Sequence, residues 1–448
     1  MLNELGRRKI SPELCCADGF WCGKNGGASE GNVSRTSGEG FATSRSAPAG
    51  EYPFYRVLAG VMRIRRVLIA AVLLALCLPL GTRADGPLPL QFGSFPAGRY
   101  DGITDVAGVR VGHLTLVEGA SIRTGATAIL PDSDPWNHKV SAAALAFNGN
   151  GEMTGTHWVN EAGFLETPIV LTDTLDIGRA DDGVISWMMK RYPNIGVTDD
   201  VPLPVVAECD DQLLNDIRAR AVTAHDVVSL IDRAAPGQFA RGSVGAGTGM
   251  KAFGFKAGIG SASRVLPASL GGYTVGVLVN DNTGATRGQL HILGVPVGQR
   301  MLHVALPKYP AHLALHGRMN SGSIVIIVAT NAPLDSRELH EMTLRAGLGM
   351  GRTGLTSDVG SGDLFLAFST GYTFMRTGNF HVVPPSVPIL ESDDIRDALF
   401  RATAEATEAA IYDALFSATT MTGRNGATVY ALPRDRTLAM LRAAGAIR

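Results

Sequence analysis

Asn320-Ser321-Gly322-Ser323 is followed at once by the apolar run Ile324-Val325-Ile326-Ile327-Val328-Ala329 and Thr330. Ser323 to Thr330 is β-branched and almost wholly apolar, which predicts a strand buried on both faces. A serine at the head of such a strand, with glycine before it, has a mechanical use. Gly322 tolerates strained backbone angles closed to other residues, so the Ser323 hydroxyl can attack the Gly322 carbonyl. The resulting ester hydrolyses and frees the Ser323 α-amine. An α-amine has a pKa of roughly 7.7–8, so near neutral pH it can act as general base for the hydroxyl of its own residue. The preceding segment, 307–320, reads as a loop that tolerates cutting. A Gly-Ser pair before a strand is also what a plain turn looks like, so the pair alone selects no chemistry.

Two glycine-rich stretches invite other chemistry. Gly245-Ala246-Gly247-Thr248-Gly249-Met250-Lys251 is not a phosphate loop, which needs glycine before the lysine and Ser or Thr after it; Met250 and Ala252 stand there. Met250 also occupies the third glycine of a dinucleotide fingerprint. The stretch reads instead as a turn-rich loop that lines a site or packs sheets closely. Asn148-Gly149-Asn150-Gly151-Glu152 reads, on composition alone, as a surface turn. No Gly-x-Ser-x-Gly elbow supports a Ser-His-Asp hydrolase, and His113, His157 and the other histidines sit in no telling local motif.

The elements that must hold such a serine are layers. Leu364–Ser369 predicts a second buried strand, and Tyr273–Val279 and Val205–Ala207 predict weaker ones, the first interrupted by Gly276. Ser336–Ala346 predicts a helix capped by Asp335 or Ser336. Asp393–Ala418 predicts a long Ala-rich helix, and Thr437–Ala444 a last one. Buried strands with helices imply sheets inside and helices outside. Periodicity leaves open a doubly wound sheet or a four-layer sandwich.

Composition bounds the rest. The 448 residues are 45% hydrophobic and 18% charged, enough for a sizeable core. A net charge of −1 gives no general attraction to nucleic acid or anionic membrane. Residues 1–61 show no sustained period and read as a non-native upstream extension or disordered segment. Met62-Arg63-Ile64-Arg65-Arg66, the apolar run to Leu80 and Thr82-Arg83-Ala84 form the pattern of a secretory signal peptide over 62–84, so the protein is expected in the periplasm or secreted. Cys15, Cys16, Cys22 and Cys77 all precede Asp85, which leaves Cys209 alone in the mature chain, with no internal disulfide and no Cys cluster for zinc.

Several stretches, in order, resemble the L-aminopeptidase/D-amidase-esterases and β-aminopeptidases, the DmpA and BapA type. They are Gly102–His113, Arg123-Thr124-Gly125, Asn148–Gly155, Pro204–Glu208, Val244–Gly260, Asn280-Asp281-Asn282, Gly322-Ser323, Gly349–Gly354 and Ser361-Gly362-Asp363. The set runs from about residue 95 to the C-terminus. No single motif is decisive, but the ordered set is specific.

The resemblance implies an α/β fold, a four-layer αββα sandwich of the N-terminal-nucleophile kind. It implies self-cleavage into chains 85–322 and 323–448 of one domain, association of those chains into a homo-oligomer, and no cofactor. The implied activity is a serine aminopeptidase acting on peptides, amino-acid amides or esters through an acyl-enzyme. Ser323 would be the nucleophile, Ser361 and Asp363 its supporting pair, and Asn282 the donor to the oxyanion. Glu208 would bind the substrate's free amino group. Without the resemblance, Glu208 reads as a solvated strand end, Asn282 as a turn residue, and Ser361 and Asp363 as a turn before the Leu364 strand.

Two departures stand out. Members often carry Thr-Tyr-Asp after the glutamate, where this chain has Cys209-Asp210-Asp211, and the added negative charge points toward basic substrates. Some members have glutamate at the position of Asp363. Competing readings are an acyltransferase like the related ornithine acetyltransferases, which use threonine where this chain has Ser323, and an uncleaved periplasmic binding protein.

Overall fold

The computed structural model describes residues 88–284, 286–310, 322–378 and 381–448. The extension 1–61, the signal sequence expected at 62–84, the four upstream cysteines, and Asn320 and Ser321 lie outside the described residues.

In chain order the main elements are β1 (Arg110–Glu118), β2 (Ile122–Leu130), β3 (His138–Gly149), α1 (Thr156–Ala162), β4 (Phe164–Leu165), β5 (Ile169–Asp173), α2 (Ile177–Arg191), β6 (Val205–Cys209) and α3 (Ala224–Asp232). Then follow the short β7 (Lys251–Ala252) and β8 (Phe255–Lys256), β9 (Ile259–Val265), β10 (Thr274–Asn282), β11 (Ser323–Thr330), α4 (Ser336–Arg352), β12 (Gly362–Arg376), β13 (Val382–Val383), α5 (Asp393–Ser417) and α6 (Arg434–Ala443). One sheet runs β1-β2-β5-β6; the other runs β4-β3-β12-β11-β10-β9, with β13 on β12. β11 pairs antiparallel with β10 and parallel with β12.

The two-residue period of the strands sorts their side chains into layers. Val325, Ile327 and Ala329 of β11 join Leu364 and Leu366 of β12 and Val205, Ala207 and Leu171 of the smaller sheet in a core between the sheets. Ile324, Ile326 and Val328 point the other way, onto Leu339, Met342 and Ala346 of α4 and Ala402 and Ala406 of α5. On the far side, Ala126, Ala128, Val170 and Val206 meet Val184 and Trp187 of α2 and Val227 and Leu230 of α3. The order is helix, sheet, sheet, helix: the expected four-layer αββα sandwich, not a doubly wound sheet.

The anticipated elements extend further than local patterning marks them. The strand at Val205–Ala207 continues to Cys209, that at Tyr273–Val279 to Asn282, and that at Leu364–Ser369 is the middle of β12. The helix at Ser336 runs on to Arg352, and Asp335 caps it by accepting from the Glu338 N–H at 3.1 Å. The Asp335 N–H donates to Glu338 at 3.2 Å, a capping box worth on the order of 1 kcal/mol. α5 is buried from Ala402 to Phe416. Its small side chains allow close approach to β9, where a Cβ on Gly260 would lie 2.0 Å from the Ala410 carbonyl oxygen. Among the described residues no helix is long and apolar enough to cross a membrane.

Candidate active site

Strand parity decides which way Ser323 faces. It is in phase with Val325 and Ile327, so its side chain turns toward the space between the sheets. Asn282, in phase with Leu278 on β10, turns the same way, and the two residues are register partners across the antiparallel ladder. Asn282 Nδ2 lies 3.4 Å from Ser323 Oγ and donates to the Asp210 carbonyl at 2.9 Å. Its Oδ1 accepts from the Lys251 N–H at 3.1 Å. Thus Asn282 is the end of a buried strand rather than a turn residue, and both faces of its amide are fixed.

Gly322 is needed for a different reason from the one its sequence suggests. Its φ lies outside the left-handed region, but an added Cβ would sit 2.8 Å from the Asn282 carbonyl oxygen and 2.8 Å from Thr283 Cα. Close backbone approach, not strained angles, excludes a side chain here. The Gly322 carbonyl accepts from the Gly362 N–H at 3.3 Å.

Glu208 is buried, not a solvated strand end. β6 lies parallel to β5 with Glu208 beside Thr172. Its Oε1 accepts from the Glu152 N–H at 3.1 Å, and its Oε2 accepts from the Thr174 hydroxyl. Burial pushes the carboxyl above its ordinary pKa, against the pull of those two bonds. The stretch Asn150-Gly151-Glu152 is therefore no plain surface turn: it walls a cleft of about 330 Å³ shared by Ser323, Asn282, Glu208, Asp210 and Lys251.

Ser361 and Asp363 sit on the reverse face of the same junction. Asp281, Ile324 and Asp363 stand side by side across β10, β11 and β12. This row points toward the helices, away from the Ser323 side chain. Ser361 Oγ donates to Asp363 Oδ1 at 2.5 Å, while Asp363 Oδ2 is buried with no partner among the described residues. The pair borders a small hollow that shares Gly322 with the cleft. Burial raises the Asp363 pKa, opposed by the Ser361 hydroxyl hydrogen bond. The structure thus gathers Ser323, Asn282 and Glu208 on one side of the strand and Ser361 and Asp363 on the other, with Gly322 between.

Sequence reading missed Lys251, Asp281, Thr174 and the backbone of Glu152. It also counted two extra acids beside the site where one is present. Asp210 lines the cleft, but Asp211 is buried and held by the Asn215 amide at 2.9 Å. Lys251 shares the cleft with Asp210, so the added charge does not by itself favour basic substrates. Among the described residues no histidine lines the cleft. His113 instead pairs with Thr127 Oγ1 at 2.9 Å, and burial lowers its pKa to about 4.

Two sheets between helix layers, with polar chemistry gathered at the head of a central strand, form a hydrolase of the N-terminal-nucleophile class. The model of peptidase family S58 matches residues 101–429. The chain belongs to that family and is an aminopeptidase. It is 37% identical over 390 residues to the beta-peptidyl aminopeptidase BapA of Sphingosinicella microcystinivorans, a match covering 83% of this chain and 96% of the relative. A beta-aminopeptidase of Burkholderia sp. superposes with a TM-score of 0.72 at 39% identity, covering 80% of this chain and 98% of its own. The L-aminopeptidase D-Ala-esterase/amidase of Ochrobactrum anthropi, a prototype of the serine aminopeptidases with a variant of the Ntn hydrolase fold, gives 0.71 at 37% identity, covering 80% and 98%.

Proposed function

We propose that the chain cuts itself between Gly322 and Ser323, and that Ser323 then acts as nucleophile and, through its new α-amine, as general base of an aminopeptidase. The in-register opposition of Ser323 and Asn282, in a cleft that also holds Glu208, carries this reading. In the first step the Ser323 hydroxyl attacks the Gly322 carbonyl, the C–N bond breaks, and water hydrolyses the ester. The chains 85–322 and 323–448 stay joined because β10 and β11 are neighbours in one sheet.

In turnover, Glu208 pairs with the substrate ammonium, a charge-assisted contact that selects a free N-terminus. The Ser323 α-amine takes the hydroxyl proton as Oγ bonds to the substrate carbonyl carbon. Asn282 Nδ2 donates to the oxyanion, a contribution of ~2.7–4 kcal/mol when well placed. The amine returns its proton to the leaving nitrogen, the C–N bond breaks, and water clears the acyl ester. Asp363 Oδ2, with no partner among the described residues and bordering the same hollow as Gly322, supports a role for Asp363 and Ser361 in holding the α-amine. Substrates are peptides, amino-acid amides or esters with a free amino end. The basic, apolar and small-residue pattern of 62–84 supports export to the periplasm or beyond, and the family resemblance supports a homo-oligomer of the cleaved pair.

The test is the intact mass of purified protein beside turnover of an amino-acid p-nitroanilide. Two pieces are expected, the smaller beginning at Ser323, and Ser323→Ala should give one uncut, inactive chain. A fully active wild type that is a single chain through residue 448 overturns the mechanism.

A further inference from the structure

Thr174 holds Glu208 from the end of the neighbouring strand, and Asp173 sets the place of Thr174. β5 ends at Asp173, and a tight turn, Thr174–Asp176, runs straight into α2. Asp173 is buried, and its Oδ1 accepts from the Leu175 N–H at 2.9 Å and the Asp176 N–H at 3.1 Å. One oxygen thus satisfies two of the N–H groups that open the turn. The other, Oδ2, accepts from the Thr124 hydroxyl of β2 at 3.0 Å. The turn is tied on its outer side as well. Asp176 Oδ2 accepts from the Val222 N–H at 2.8 Å, and the Leu175 carbonyl accepts from Arg220 Nε at 2.9 Å.

Strand parity turns Asp173 away from Glu208. Asp173 is in phase with Leu171, in the core between the sheets, whereas Thr172 is in phase with Val170, toward α2. Glu208 stands beside Thr172 in the ladder and is in phase with Val206, on that same face. Asp173 therefore reaches Glu208 through the backbone of the turn and the Thr174 hydroxyl, which donates to Glu208 Oε2. With the Glu152 N–H on Oε1, that bond leaves the carboxylate one orientation, and an acceptor fixed beforehand costs less to order when a ligand arrives. Resting on the reading of Glu208 as receptor for the substrate ammonium, we propose that Asp173 is a positioning residue of the amine-binding site: by capping the turn Thr174–Asp176 it keeps the Thr174 hydroxyl on Glu208, and so sets how strongly the enzyme prefers a substrate with a free amino group.

The experiment measures kcat/KM for alanine p-nitrophenyl ester and for p-nitrophenyl propionate, which differ only in the amino group. The readout is the ratio of the two within each enzyme, beside its circular-dichroism melt. A weakened ammonium contact raises KM for the amino ester at unchanged kcat, whereas a merely structural lesion lowers both substrates alike and leaves the ratio. Glu208→Gln should lower the ratio most. Thr174→Val should lower it about tenfold, the scale of a hydrogen bond to a charged group, and Thr174→Ser should keep it. Asp173→Ala should lower it about fivefold, the scale of a lost cap. Asp173→Asn should keep it, because the amide oxygen still accepts from both N–H groups. The wild-type ratio in Thr174→Val or in a folded Asp173→Ala, or a ratio as low in Asp173→Asn as in Asp173→Ala, overturns the proposal. Should Asp173→Ala not fold, Thr124→Val frees the second Asp173 oxygen and is read in the same way: a lowered ratio upholds the proposal and the wild-type ratio overturns it. If Glu208→Gln itself keeps the wild-type ratio, the ammonium reading falls and the proposal with it. If Glu208→Gln lowers the ratio and the Asp173 and Thr124 variants do not, Glu208 retains its role and the positioning by Asp173 alone fails.

Discussion

Asn282 and Ser323 face each other across the β10–β11 ladder, with the amide nitrogen 3.4 Å from the hydroxyl. The Lys251 N–H and the Asp210 carbonyl fix the amide from both ends, so it needs no reorganisation as charge develops on a substrate oxygen. Asn282→Ala should therefore lower kcat about 10²–10³-fold, with a smaller change in KM. Steady-state kinetics on an amino-acid p-nitroanilide checks this, and an unchanged kcat removes Asn282 from the oxyanion role.

Ser361→Ala removes the 2.5 Å bond to Asp363 Oδ1 without touching the face that carries the Ser323 hydroxyl. Self-cleavage should be retained or slowed. Turnover should fall at least ~10-fold and by no more than the ~10²–10⁴ that general-base assistance contributes. Mass spectrometry reads the first effect and p-nitroanilide kinetics the second. Full turnover in the variant would show that the pair does not tune the amine.

Much of the frame is legible in the sequence because burial leaves a local mark. All eight positions of β11 are buried, and seven of its residues are apolar or β-branched after the leading serine. The Asp335 and Glu338 cap is likewise written within one turn. The site itself is not local. Asn280-Asp281-Asn282 looks like a turn because strands seldom end in three buried polar residues. Two of the three are satisfied at a distance or by the backbone that follows: Asn282 finds Ser323 and Asp210, 41 and 72 positions away, and Asp281 bonds Thr283. Glu208 meets the Glu152 N–H 56 positions away. Lys251 is hidden at the end of a glycine-rich loop, where a Cβ on Gly247 would lie 2.3 Å from the Ile259 nitrogen. That packing brings the loop against the sheet, and only the assembled layers show it. Family resemblance supplied the roles that composition withheld.

Asp281 offers a test through stability. Burial, with the Asp363 charge adding to it, raises its pKa from 3.8 to about 7 despite two bonds from Thr283. Below the unfolded value both states hold the proton, and the group costs nothing. Between about 4 and 7 the unfolded chain ionises while the folded chain keeps its proton, so stability falls as pH rises; above that window the full cost stays. Asp281→Asn abolishes this dependence. The variant should melt higher than wild type at pH 8, with the gain shrinking toward pH 4. Circular-dichroism melts across that range decide it, and a gain of equal size at every pH contradicts the raised pKa.

Glu208 is fixed in place before any substrate arrives. Its carboxylate is buried, and the Glu152 N–H and the Thr174 hydroxyl each hold one oxygen. An ammonium entering the cleft therefore meets a fixed acceptor. Glu208→Gln keeps the shape and removes the charge. A hydrogen bond to a charged group contributes about 1.5–3 kcal/mol, so kcat/KM for free-amine p-nitroanilides should fall about 10–150-fold. Self-cleavage should proceed, because no substrate ammonium takes part in it. The pH profile separates charge from shape. The carboxylate must be ionised to hold an ammonium, and burial lifts its pKa above 4.5, so activity of the wild type should drop as pH falls through that raised value. Glu208→Gln should lose this acid limb while keeping its low plateau. Equal turnover of N-acetylated and free-amine substrates by the wild type would refute the role outright, since an acetyl group leaves no cation for Glu208 to bind.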